Sequence, residues 1–292
     1  MVEKIAVVGA GQMGNGIAQT FATNGYDVTL IDIDEGQLSK ALKMIEHSVT
    51  KLHSKGKLTD DQKEWGLGRV LTSTDLKAAK DADLVVEAVV ESKTLKKDIF
   101  RRLDDLCAPE TIFASNTSSI SITELAAATK RPDRFVGMHF FNPVPLMQLL
   151  EVISGQQTSE EVRKEVIDLS QKLGKTPVEA NDFPAFISTR ILSVMLNEAV
   201  FVLQEGVGDV LAIDNAMTLG MNHPMGPLKL ADFIGLDTML SIMGVLYEGF
   251  EDPKYRTPAL LRRLVHAGQL GRKTGLGFYD WSGEHPVPRS FR

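Results

Sequence analysis

The stretch KIAVVGAGQMGNGIAQTFATNGYDVTLID, residues 4–32, decides the fold. It opens on a short apolar run, Lys4 to Gly9, of the kind buried on both faces of a parallel sheet. A glycine pattern follows, Gly9-Ala10-Gly11-Gln12-Met13-Gly14, and then a helical pattern from Asn15 to Asn24 that Gly25 closes. Asp27 to Ile31 is a second strand, with Asp32 at its end. G-x-G-x-x-G alone is a weak signal. Set between a strand and a helix, with a second strand ending in an acidic residue, it reads as a dinucleotide-binding turn.

Each residue of the turn has a physical task. Gly9 allows the tight bend, Gly11 leaves the backbone open to a pyrophosphate, and Gly14 lets the helix pack against the sheet. Together Gly9, Ala10, Gly11, Gln12, Met13 and Gly14 form the candidate cofactor cradle, because the helix start turns N–H groups toward phosphate. Asp32 would accept hydrogen bonds from the adenosine ribose hydroxyls and repel a 2′-phosphate. The following Ile33-Asp34 offers no arginine to receive one, which favours NAD over NADP.

Working outward, strands and helices alternate. Glu35 to Lys55 reads as a long helix with Leu38, Leu42, Ile45 and Val49 on one face. Its basic far end, with Ser48 and Lys55 on one face, is either solvated or a phosphate-binding edge. Val70–Thr72, Leu84–Ala88, Ile112–Ser115 and Thr176–Glu179 are further expected strands. Asp75–Lys80 and Lys93–Leu106 are helices between them, joined by one that Thr158 and Glu161 open as a capping box. Ser121 is expected to cap a short helix, with Glu124 at the capping-box position. Asn116-Thr117-Ser118-Ser119, just past a strand end, is either a turn or a set of ligand contacts.

The stretch VGMHFFNPVPLMQLLE, residues 136–151, carries the candidate chemistry. His139 lies on one expected strand and Glu151 on the next, with Pro143 and Pro145 stiffening the loop between. A histidine takes or gives a proton near neutral pH, and a carboxylate orients it and stabilises its cation. A buried histidine beside a surface glutamate is the bland alternative, and this stretch alone leaves both open.

After Pro184 the pattern changes, and no further strands are expected. Ile191–Gln204 is apolar along nearly its whole length, which predicts burial on several sides. Asp209–Leu219 is a second helix, and Pro227 and Pro258 suit the first turns of later ones. A basic glycine-rich loop, Gly271 to Tyr279, follows. The expected fold class is α/β: a doubly wound, Rossmann-type parallel sheet over residues 1–184, then an all-α C-terminal domain over 185–292. The apolar second domain suggests substrate-cleft and dimer surfaces, although a monomeric core would read the same.

Of the 292 residues, 43% are apolar and 24% charged, the profile of a globular protein in water. A net charge of −6 without a dominant basic cluster argues against nucleic acid as a partner. No stretch is apolar for long enough to suggest a membrane span. Cys107 is the single cysteine, so no internal disulfide forms, and Val2-Glu3-Lys4 runs straight into a strand without a signal peptide. The expectation is a cytoplasmic protein.

Three further segments carry a resemblance that covers essentially the whole chain. They are Ala114-Ser115-Asn116-Thr117-Ser118-Ser119, Gly137 through Pro145 (GMHFFNPVP), and Lys273-Thr274-Gly275-Leu276-Gly277-Phe278-Tyr279. In this order behind the dinucleotide turn, the sequence resembles the L-3-hydroxyacyl-CoA dehydrogenase family and, within it, the short-chain bacterial branch. The resemblance implies NAD-dependent oxidation of an (S)-3-hydroxyacyl-CoA, with a 3-hydroxybutyryl chain expected, by a homodimer. It implies His139 as catalytic base, Glu151 as its orienting partner, and Ser118 and Asn142 on the reacting oxygen and nicotinamide. Glu91, Lys96 and Lys273 would line the dinucleotide site. Ser48 and Lys55, with Ser118, would contact coenzyme A. One departure stands out: Thr189, in Phe186-Ile187-Ser188-Thr189-Arg190, occupies a position where the family usually has asparagine.

Overall fold

The computed structural model describes residues 2–291. The chain divides into two compact units that meet at Phe183 and Pro184. In the first, one sheet holds β1 (Lys4–Val8), β2 (Asp27–Ile31), β3 (Val70–Ser73), β4 (Leu84–Glu87), β5 (Ile112–Ser115), β6 (Phe135–Phe140), β7 (Leu149–Ser154) and β8 (Thr176–Asn181). The spatial order is β3-β2-β1-β4-β5-β6-β7-β8. The helices are α1 (Gln12–Thr23), α2 (Glu35–Ser54), α3 (Asp60–Gly68), α4 (Lys93–Leu106), α5 (Ile122–Ala126) and α6 (Glu160–Lys172). β1 to β6 run parallel. Strand order reverses between β1 and β4, which opens a crevice at their carboxyl ends.

The expected parallel sheet has one antiparallel pairing near its edge. β7 runs antiparallel to β6, and β8 runs parallel to β7. No helix separates β6 from β7, and a chain that turns back without a crossover must pair antiparallel. Sequence spacing missed α3, although Thr59 and Gln62 form a reciprocal capping box at its start. The cap of α6 is Ser159 rather than Thr158, whose hydroxyl instead joins Gly155 N and Phe135 O. Glu124 does not close a capping box either, because its carboxylate is drawn to Lys93 and Lys97.

The second unit packs α7 (Ser188–Gln204), α8 (Val210–Asn215), α9 (Pro227–Ile234), α10 (Leu236–Phe250) and α11 (Ala259–His266) around Leu196, Val200, Leu228, Leu236 and Leu261. The all-helical expectation is corrected by a small antiparallel pair, β9 (Tyr279–Asp280) and β10 (Val287–Pro288). Strands this short carry no readable alternation. α7 is buried on one side only, since Ile191 remains 68% exposed. α8 ends sooner than expected and passes into a π-helical turn, Ala216–Gly220. Pro258 caps α11 from just outside it. No single helix among the described residues is long and apolar enough to cross a membrane. The apolar pair α9 and α10 is bent by 96° and buries Leu228, Leu236 and Met243.

A buried carboxylate ties the C-terminal loop to α9. Asp232 accepts from Phe278 N, Tyr279 N and Trp281 Nε1 at 2.8–2.9 Å, and Asp214 accepts from Leu228 N and the Tyr279 hydroxyl. Burial pushes the Asp232 carboxyl up, and the Asp214 charge adds to the rise. Asp232→Asn places an NH₂ against N–H donors and is expected to cost about 1–3 kcal/mol for each bond lost. A group raised in the folded state contributes stability that is full below its unfolded pKa and fades as pH climbs through the folded one. The gap in Tm between wild type and Asp232→Asn should therefore be widest near pH ~4 and narrow as pH rises. Melting curves across pH test this, and a gap that widens with pH would contradict it.

Candidate active site

β1 delivers Gly9 to the crevice, where the chain turns sharply: φ is +106°, and a side chain would strike Ala88 O at 2.6 Å. Gly14 faces the same restriction, since a Cβ there would lie 1.7 Å from Gly9 O. Gly11 differs. A Cβ would meet nothing within 4 Å, so the space above it is open. It also starts α1 without any side-chain cap, which leaves the first-turn amides of Gln12, Met13 and Gly14 available to an anion. Asp32 Oδ2 accepts from Ala10 N at 2.7 Å and Oδ1 from Asp34 N at 3.0 Å. Each oxygen keeps a lone pair for a sugar hydroxyl. Two glycines enforced by packing, a third facing open space and a carboxylate anchored across the turn fit a dinucleotide.

The proton-transfer pair lies farther along the same sheet. His139 and Glu151 are direct cross-strand partners in β6 and β7. Nδ1 of His139 lies 2.7 Å from Glu151 Oε2, and both side chains are buried. An ionised carboxylate only accepts, so Nδ1 carries the proton and Nε2 keeps its lone pair. That lone pair faces Ser118 Oγ at 3.0 Å. The surface-glutamate alternative is thus removed: Glu151 is buried and, as the direct cross-strand partner of His139, projects from the same face of the sheet.

Ser118 arrives because β5 runs parallel to β6, so the loop after β5 emerges beside the end of β6. Side chains hold that loop directly or through one another. Asn116 Oδ1 accepts from Phe140 N at 2.8 Å. Glu91 Oε1 accepts from the Thr117 hydroxyl, Ser118 N and the Ser119 hydroxyl. Lys96 Nζ, almost wholly buried, reaches Glu87 at 2.7 Å and Glu91 at 3.2 Å. Glu87 is itself fully buried and accepts from the Ser115 hydroxyl and Val89 N. Sequence reading passed over Glu87, although a charge inside the apolar run Leu84–Ala88 was an available signal.

The structure thus brings His139, Glu151, Ser118, Glu91 and Lys96 into one connected network. Asn142 is exposed in the loop that leaves β6. Ser48 is half-buried on α2 and Lys55 is exposed just past its end. In the second unit, Lys273 pairs with Asp237 at 2.5 Å, and Thr189 stands in the first turn of α7.

Residues 4–183 match the family 3-hydroxyacyl-CoA dehydrogenase, NAD binding domain, and residues 186–281 match its C-terminal domain. A probable 3-hydroxybutyryl-CoA dehydrogenase of Deinococcus radiodurans is 57% identical over 278 residues, covering 95% of this chain and all of that protein. The 3-hydroxybutyryl-CoA dehydrogenase of Clostridioides difficile is 51% identical over 279 residues, covering 96% of this chain and 99% of its own. The crystal structure of an (S)-3-hydroxybutyryl-CoA dehydrogenase from Ralstonia eutropha superposes with a TM-score of 0.93 at 49% identity, covering 97% of this chain and 100% of that one.

Proposed function

This chain belongs to the 3-hydroxyacyl-CoA dehydrogenase family, and on that premise we propose that its reaction is the reversible oxidation of (S)-3-hydroxybutyryl-CoA to acetoacetyl-CoA. NAD supplies the hydride chemistry when bound to Gly9–Gly14 and Asp32. His139 Nε2 removes the proton of the substrate C3 hydroxyl and returns it to the ketone oxygen in the reverse direction. Glu151 holds the Nδ1 proton and stabilises the imidazolium. The Ser118 hydroxyl, already at Nε2, donates to the reacting oxygen, and Asn142 helps to orient the nicotinamide and that oxygen. Glu91 and Lys96 steady the Ser118 loop on the cofactor side, with Lys273 as a further cofactor contact. Ser48 and Lys55 take the coenzyme A portion.

The observation that carries this reading is the placement of His139 between a buried carboxylate and a hydroxyl, in the unit that also bears the dinucleotide turn. The protein acts as a cytoplasmic homodimer in this reading. The exposed apolar residues Leu211, Leu219 and Met221 of the second unit support that assembly.

Loss of NADH absorbance with acetoacetyl-CoA, beside free acetoacetate and beside NADPH, tests substrate and cofactor together. Turnover with the thioester and NADH, with little from the other two, is the expected result. Turnover of the free acid alone would assign a different substrate class, and activity only with NADPH would contradict the role given to Asp32. Light scattering on the same sample should give twice the 32.0 kDa chain mass.

A further inference from the structure

The 142–148 loop joins the histidine strand to the glutamate strand, and a buried lysine grips it. Lys175, 8% exposed, directs Nζ at Val144 O (2.5 Å) and Met147 O (2.7 Å). Among the described residues no carboxylate pairs with it. Burial lowers its pKa, so the ammonium is held against a desolvation cost that a methionine of similar length would not meet. Those two carbonyls face inward because Leu146 N and Met147 N both donate to Pro143 O, which curls the loop over the lysine. The next residue continues the contact: Thr176 N donates to Gln148 O at 2.8 Å.

The other side of the loop rests on α1. A Cβ at Gly16 would lie 2.9 Å from Val144 Cβ and 3.5 Å from Pro145 Cδ. The loop is therefore clasped between the helix of the dinucleotide turn and Lys175, with no slack on either side. Asn142 leads into it.

We propose that Lys175 is a positioning residue for the reaction: by holding the Val144 and Met147 carbonyls it sets where Asn142 stands relative to His139. The proposal rests on the functional reading above. Lys175→Met removes the donors and keeps the length. Lys175→Arg restores two donors.

In Lys175→Met, kcat with acetoacetyl-CoA should fall about 10–10²-fold, the scale of a ~1 Å misplacement. The Kd for NADH, set mainly by Gly9–Gly14 and Asp32, should stay within about threefold. Hydrogen exchange at the Leu146 and Met147 amides should quicken at least about tenfold as the turn loosens. Lys175→Arg should recover most of the lost kcat. A purely structural role would lower Tm and leave kcat of the folded protein unchanged. That result, or wild-type protection of the two amides in Lys175→Met, overturns the proposal.

Should Lys175→Met not fold, Gly16→Ala pushes the same loop from the opposite side. It should lower kcat similarly, and full kcat there would likewise overturn the idea. Failure of the wild type to turn over acetoacetyl-CoA would count against the functional reading instead, while the exchange measurement would still judge the loop.

Discussion

His139→Asn is expected to lower kcat for acetoacetyl-CoA reduction by about 10²–10⁴-fold, the usual worth of a positioned general acid/base. Asparagine keeps a polar group opposite Glu151 and still offers an N–H to it. It holds no proton that moves near neutral pH. KM for the thioester should change little, because the bulk of the substrate is held elsewhere. The split matters: lost kcat with a steady KM marks an interaction made in the transition state. A variant within tenfold of wild type would remove His139 from the mechanism.

The second large effect is expected at Glu151. Glu151→Gln preserves shape, and the side chain is 1% exposed, so little room exists for rearrangement. The change is electrical. A glutamine can turn its NH₂ toward Nδ1 at the 2.7 Å contact, which drives the imidazole proton onto Nε2, the wrong nitrogen for a base. It also removes the charge that stabilises the imidazolium. A triad carboxylate replaced by its amide loses about 10⁴-fold in a serine protease, and a loss of roughly 10²–10⁴-fold is expected here. The melting temperature should hold, since a buried charge has been exchanged for a neutral group. Equal losses of kcat and Tm would instead mark Glu151 as a structural residue. The double variant with His139→Asn should be no slower than His139→Asn alone, because the two residues act as one unit.

Local pattern carried much of the molecule. The apolar runs at Lys4, Asp27 and Ile112 became β1, β2 and β5 within a residue or so, because a strand buried on both faces must be continuously apolar. The turn at Gly9–Gly14 was legible because its demands are local: a backbone bend, a close helix and an open helix end. The sequence reading put a break at residue 184, where strand-forming runs give way to long apolar helices. By contrast β9 and β10 were too short to carry a readable alternation, and the caps at Thr158 and Glu124 misled because Phe135, Lys93 and Lys97, which hold those side chains, are distant in sequence.

The sequence by itself determined that a dinucleotide-binding half precedes a helical half, and that His139 and Glu151 were candidates for proton transfer. Tertiary structure alone decided that they are partners. Residues 12 apart come within 2.7 Å only because β7 reverses direction and its register sets Glu151 opposite His139. It also decided that Ser118, on a loop after another strand, closes on Nε2, and that Glu87 and Lys175 are buried charges serving loops far from them in the chain. Spacing encodes which face a side chain takes. Strand order and register, which the whole sheet must satisfy at once, decide what that face meets.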